Sequence, residues 1–330
     1  HKMEEADFQA GEMIVEHISD SYDWHIIDIG DTHISIPLPV ILYDEGGWHF
    51  FMSSKFHHGH DAYKGYFISH HDMNAGKIVK LDNEGHEVRP TLDISVTKNV
   101  VAIFLSSLLL IIIFVSVARS YEKRRDHAPK GLQSFLEPII IFVRDDIAKA
   151  SIGEKKYEKY LPFLLTIFFF ILLNNIMGII PIFPGGANVT GNIGVTGVLA
   201  AFTFIITTFS GNKNYWTHII NAPGVPWWLK IPVPLMPIVE LMGVFTKPFV
   251  LMVRLFANIT AGHIIILGFI SLIFIFGEMS TGLGYGVSVI SVGFSIFMDF
   301  LELLVAFIQA SVFTLLSALY FGMATEEAHH

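Results

Sequence analysis

The chain of 330 residues contains no cysteine, which excludes a disulfide framework, a Cys-ligated metal site and a thiol nucleophile. Charge is scarce as well. Asp, Glu, Lys and Arg make up 15% of the residues, where a soluble domain carries roughly 25%. The shortage is uneven: residues 1–98 hold 17 acids and 7 Lys/Arg, a net of −10, and the remaining 232 residues net +1. A glycine-rich P-loop motif is missing, which argues against nucleotide chemistry in this chain. No signal-peptide pattern is visible. The chain begins at His1 rather than Met, which leaves room for a leader removed upstream.

What is present is apolar sequence in runs long enough to span a bilayer, for which about 20 residues suffice. The reading is an all-α polytopic membrane protein with five crossings, at about 99–118, 160–183, 192–210, 236–276 and 283–323. Residues 1–95 form a small extramembrane domain, polar and rich in His, Asp and Gly. Its alternating stretch Thr32-His33-Ile34-Ser35-Ile36 points to strands or irregular structure. Residues 96–325 form the membrane domain, and 326–330 are a C-terminal tail.

Between the first two crossings, Leu132, Phe135, Leu136, Ile139, Ile140, Val143 and Ile147 recur at helical spacing. Glu137, Arg144, Asp145, Asp146 and Lys149 take the opposite face, so 132–149 reads as a helix lying in the interface. Pro184-Gly185-Gly186-Ala187-Asn188 separates crossings two and three. A polar, aromatic loop from Lys213 to Lys230 then leads to an entry rich in proline at Pro232, Pro234 and Pro237. The last two crossings each run about 41 residues, or about 60 Å of helix. That is twice the roughly 30 Å of hydrocarbon, so they form a steeply tilted hairpin. Gly277, Gly282, Gly284 and Gly286 are read as its turn.

Basic residues set the orientation. The 119–159 segment holds ten Lys/Arg, Arg119, Lys123, Arg124, Arg125 and Lys130 among them, and the 211–230 loop holds two. The loops at 184–191 and 277–286 hold none. The positive-inside bias places the N-terminal domain outside and the C-terminus in the cytoplasm.

Five charges fall inside the spans: Glu240, Lys247, Arg254, Asp299 and Glu302, with Glu278 in the final turn. Each costs about 2.5–3.5 kcal/mol at a bilayer centre, so such residues face a bundle interior, a water path or a partner. Lys247, near a helix end, is read as snorkelling to the interface. Arg254 lies several turns inside its helix and is the strongest functional candidate. Glu240, Lys247 and Arg254 are seven apart and share one stripe, with Asn258 a turn further on and His263 about 180° around the helix. On the return helix Asp299, Glu302 and Gln309 lie close to one stripe. Arg254 is 27 residues before Thr281 and Gln309 is 28 after it, which matches their depth in an antiparallel hairpin. His263 and Glu302, 18 before and 21 after, are expected as near neighbours suited to proton handling.

Met252-Val253-Arg254-Leu255-Phe256-Ala257-Asn258-Ile259-Thr260-Ala261-Gly262-His263 resembles the R-L-F-x-N-x-x-A-G-[HE] signature of subunit a of F-type ATP synthases. Glu240, Thr246-Lys247-Pro248, and the run from Glu302 to Gln309 with Phe313, Leu315 and Tyr320 match that family too. The resemblance covers about residues 97–325. His stands on the first helix and Glu on the second, one of the two arrangements of the family's His/acid couple. The N-terminal domain is larger than the family core requires.

The resemblance implies a proton-translocating, non-catalytic stator subunit in a bacterial inner membrane. Its partners would be a ring of c subunits, b-type stalk subunits and the rest of the complex, with the lipid bilayer around it. Arg254 would be the essential gate acting on the ring carboxylates. His263, Glu302 and Asp299 would line the outward half-channel, with Gln309 and Asn258 as polar neighbours and Glu240 toward the cytoplasmic exit. Lys247, Asn174, Asn175 and Asn192 are secondary candidates, an Asn in a span being equally suited to structural glue. No cofactor, resident metal or nucleic acid is implied. A secondary transporter is the competing reading, but it predicts internal repeats, which are not seen. A scaffold subunit is the other, and it leaves Arg254 without a purpose. The histidines His57, His58, His60, His70 and His71 suggest a solvated polar surface, with zinc binding as the alternative.

Overall fold

A computed structural model describes residues 11, 14, 18–29, 32–59, 61–70, 74–123, 128–180, 185–220 and 235–326. Arg124, Arg125, Pro184, Lys230, Pro232, Pro234, His60 and His71 lie outside the described residues. The fold is that of an all-α polytopic membrane protein with a small β-rich region ahead of it. The chain forms two compact units, one made of His1–Ser106, Met177–Val189 and Gly262–Asp299, the other of Ser107–Ile176, Thr190–Ala261 and Phe300–His330.

In the first unit, short antiparallel strands make three small sheets. β1 (Asp23–Ile29) pairs with β2 (Thr32–Pro37). β3 (Pro39–Asp44) lies between β4 (Gly47–Met52) and β8 (Leu92–Asp93). β6 (Ile78–Leu81) lies between β5 (Tyr66–Ile68) and β7 (Glu87–Val88). Alternate residues of β3 point inward, so Val40 and Leu42 join Tyr22, Phe56, Tyr66 and Ile78 in one core. The acid of that core is satisfied: Asp44 takes Lys80 Nζ at 2.6 Å, the Tyr66 hydroxyl at 3.0 Å and the Thr91 hydroxyl at 3.2 Å. Burial opposes its ionisation, but these donors outweigh it and hold the carboxyl at about 2. Burial, then the same carboxylate, pushes the Tyr66 phenol up to about 12.

The domain is tied directly to the first long helix, α1 (Lys98–Lys123). Asp20 accepts from the Asn99 amide at 3.0 Å and the Thr97 hydroxyl at 2.7 Å, and the Lys98 amide donates to Ser21 at 2.8 Å. A carboxylate there satisfies amides that a helix start leaves open and opposes the positive end of its dipole.

The second unit is a helical bundle. α2 (Leu132–Phe142) continues through a π-helical segment, Val143–Lys149, to Ile152. The uniform α-helix expected over 132–149 is therefore interrupted. The wider turn still buries Leu136, Val143, Ile147 and Ala148, and leaves Arg144 to clasp Asp145 through two 2.8 Å bonds. α3 (Tyr157–Ile179) carries Leu164, Ile167, Phe168 and Ile171 into the core, and α4 (Ile193–Ser210) adds Ala200. A short helix, α5 (Lys213–Ile220), occupies sequence read as loop. Its Tyr215 and Trp216 rings are 5.4 Å apart, and an Asn212 side-chain oxygen accepts from the Tyr215 amide at 2.8 Å. That cap supplies the start signal that the polar composition concealed.

α6 (Leu235–Met279) and α7 (Thr281–Thr325) are 45 residues each, about 68 Å of continuous helix. Among the described residues, five helices are long and apolar enough to cross a membrane. Only Ser280 separates the last two, so Gly277, Gly284 and Gly286 lie within helices rather than forming a loop. Gly277 and Gly284 instead let the backbones touch: a Cβ on Gly284 would stand 2.8 Å from the Gly277 Cα. In the same unit the Phe269 and Phe294 rings meet at a tilt, with centroids 4.1 Å apart.

Candidate functional site

Along α6, Val244, Leu251, Leu255 and Ile259 are buried, and the last three belong to the bundle core. Their spacing of seven, four and four residues defines one inward face. Arg254 is off that face and exposed, beside Val253, Ala257, Asn258 and Ala261, which are exposed too. Among the described residues it has no carboxylate within ion-pair distance. The guanidinium is thus presented on an apolar surface where lipid alone could not satisfy it.

The other polar residues of α6 differ in their surroundings. Lys247 is half-buried, with Nζ 5.6 Å from the centre of the Tyr320 ring. Its charge rests on an aromatic face of α7, a different arrangement from the free snorkelling expected of it. It lines a small cleft with Thr203, Thr207, Tyr215 and Tyr320. Glu240 is half-buried and acts electrostatically on Tyr215 of α5, whose phenol is pushed up by burial first and by Glu240 second.

On α7, Glu302 and Gln309 are buried, and Ala306 between them is fully enclosed. Asn175 of α3 reaches this stretch: its amide donates to the Ala306 carbonyl at 3.4 Å, and its oxygen accepts from the Thr190 hydroxyl at 2.5 Å. Asn174 donates to Phe170 of its own helix at 2.8 Å. Further along, the Thr203 and Ser317 hydroxyls meet at 3.0 Å. Within the second unit the structure therefore brings Asn175 and Thr190 together at Ala306, on the stretch of α7 between the buried Glu302 and Gln309. Thr190 and the Thr203/Ser317 pair were missed because hydroxyls are tolerated in spans; their recurrence at Thr196, Thr203 and Thr207, all buried, was the available signal.

Asn192 stands at the start of α4. Its side chain caps α4, accepting from the Gly194 amide at 2.9 Å. In the first unit His263 is half-buried, and its Nε2 would lie 3.7 Å from a Cβ on Gly178. Asp299 is exposed on α7. Among the described residues no group of three His, Asp or Glu could hold a metal ion. His57 instead bonds Asp61 at 2.7 Å, and His70 approaches the Gly59 carbonyl at 3.4 Å.

Long apolar helices with a charged residue exposed in one of them and polar residues buried along another define a polytopic membrane protein equipped to handle ions. Residues 100–322 match the family model described as ATP synthase A chain, and residues 13–100 match one described as a domain of unknown function. An ATP synthase subunit a of Chloroherpeton thalassium is 44% identical over 244 residues, covering 72% of this chain and 69% of that protein. An ATP synthase subunit a 2 of Chlorobium luteolum is 44% identical over 292 residues, covering 82% of this chain and 81% of the relative. The chain belongs to the ATP synthase subunit a family. It is a multi-pass membrane subunit of that complex and not its catalytic part. The share paired with the Chlorobium luteolum relative exceeds the family's membrane region, so part of the N-terminal domain is shared as well.

Proposed function

We propose that the chain is the proton-conducting stator subunit of a rotary F-type ATP synthase, with Arg254 acting on the carboxylates of a ring of c subunits. The observation that carries this reading is the exposure of Arg254 on an apolar helix face, with no acid of the described chain to pair with it. A buried or lipid-facing guanidinium needs an anion, and a partner's membrane carboxylate supplies one. Opposite charge within about 4–6 Å lowers a carboxylate pKa by 1–3 units, so each arriving acid releases its proton. Arginine does this without losing its own proton, which a lysine in the same place could do.

Asn258, on the same exposed face, and Gln309, buried on α7, are the polar neighbours of that step. His263, Glu302 and Asp299 line the half-channel on the outer side, and Glu240 serves the cytoplasmic exit. The basic loops put the N-terminal domain outside and the C-terminus in the cytoplasm. A b-type stalk holds the subunit against the ring.

The test is ATP-driven proton pumping by the assembled complex in vesicles. Arg254→Ala abolishes coupled pumping while the complex still assembles; pumping that persists overturns the assignment.

A further inference from the structure

The sheet of β4, β3 and β8 carries apolar side chains on both faces. One face covers the domain core through Val40 and Leu42. On the other, register pairs Tyr43 with Trp48 and Ile41 with Phe50, and sets Leu92 opposite Tyr43. Met52 continues that row. Phe50 is 65% exposed and Trp48 is 52% exposed, with Tyr43, Met52 and Leu92 also open to the surroundings. The Trp48 ring lies 5.1 Å from Tyr43 and 6.0 Å from Phe50, so the rings form one continuous surface. An antiparallel sheet facing water on one side alternates apolar with polar residues. This one does not, and no charged side chain interrupts the outer row.

We infer that this face lies flat on the bilayer, at the boundary between headgroups and acyl chains, on its own side of the membrane. The attachment of the sheet to the first span favours lipid over other occupants. The Ile94 amide donates to Ile41 at 3.1 Å and the Val96 amide to Pro39 at 2.9 Å, so β8 keeps to β3 until two residues before α1 begins at Lys98. The near end of the sheet is therefore about 7 Å of chain from the span, and six strand residues add about 20 Å. Every member of the face is within reach of the interface. The composition agrees: Trp and Tyr concentrate at membrane interfaces, where an apolar ring and a polar edge are both accommodated. A polar domain fixed to a span, with an apolar face that no described residue covers and that is within reach of the bilayer, buries that face in lipid rather than exposing it to water.

Because the chain has no cysteine, single spin labels can be placed without background. Phe50→Cys and, as a control on the exposed turn carrying Glu84, Glu84→Cys are made in the full-length chain. Each is labelled with a nitroxide and reconstituted into phosphatidylglycerol/phosphatidylethanolamine vesicles. Power saturation with oxygen and with a water-soluble nickel chelate then reports the surroundings. The expected result is a severalfold higher oxygen-to-nickel accessibility ratio at position 50 than at position 84. A label at 50 as open to nickel as the control shows a water-exposed face and overturns the inference. A label shielded from both reagents shows a protein cover, such as a second copy, and overturns it too.

Discussion

The Lys247 ammonium stands 5.6 Å from the centre of the Tyr320 ring and so links the two longest helices of the chain through a charge and a π face. Tyr320 is also within electrostatic reach of Arg254. Desolvated contacts of this kind are worth about 2 kcal/mol, exposed ones about 0.5–1.

A double-mutant cycle measures that link. Lys247→Met and Tyr320→Leu are each expected to lower the unfolding midpoint of the detergent-solubilised chain, with a coupling of about 1 kcal/mol. Tyr320→Phe retains the ring and most of the coupling. Additive effects of the two substitutions would remove the contact from the account.

His263 and Glu302 are proposed to pass protons on the same path. Exchanging them, as His263→Glu with Glu302→His, is expected to leave more pumping than either single substitution. Strictly additive losses would show that they work independently.

Asn175 is held from two sides, by Thr190 and by Ala306. Asn175→Leu takes the acceptor away from the buried Thr190 hydroxyl, while the Ala306 carbonyl keeps its helical bond, and is expected to cost about 1–3 kcal/mol. Thr190→Val removes one bond and is expected to cost about 1 kcal/mol. Thermal unfolding in detergent distinguishes the two.

At the end of the hairpin, two glycines two residues apart respond in opposite directions. Gly284→Ala drives a Cβ onto the Gly277 backbone and destabilises the hairpin, whereas Gly286 has open space around it. Gly286→Ala, within a helix, is expected to stabilise by about 0.5–1 kcal/mol. Equal unfolding midpoints for the two variants would contradict the close approach.

Asp44 makes the extramembrane domain sensitive to acid. Its folded-state pKa, about 2, lies below the ordinary value of 3.8. The stability it contributes is therefore complete above about pH 4 and is lost as pH falls toward 2. The expected contribution is about 2 kcal/mol. Asp44→Asn should flatten this part of the pH profile, read by the near-ultraviolet signal of the domain; an unchanged acid limb would assign the loss to other carboxylates.

The fold class was legible because hydrophobic run length is a strong signal and five runs exceed the bilayer thickness. Arg254 was legible for the same reason, since one charge in an apolar helix violates the composition around it. What escaped the sequence was decided by contacts. Lys247 could have reached water, and only the placement of α7 puts Tyr320 beneath it. Asn175 and Asn192 are alike in sequence, yet one bridges helices and the other caps one. The helix at Lys213–Ile220 begins at its Asn212 cap, and nothing in the residues of 143–149 marks the π segment.

The bonds from Asp20 and Ser21 hold the β-rich region to the start of α1 at three points, at Thr97, Lys98 and Asn99. A turn of the start of that helix about its axis carries the attached residues with it. A label on the β-rich region therefore reports the azimuth of the start of that helix.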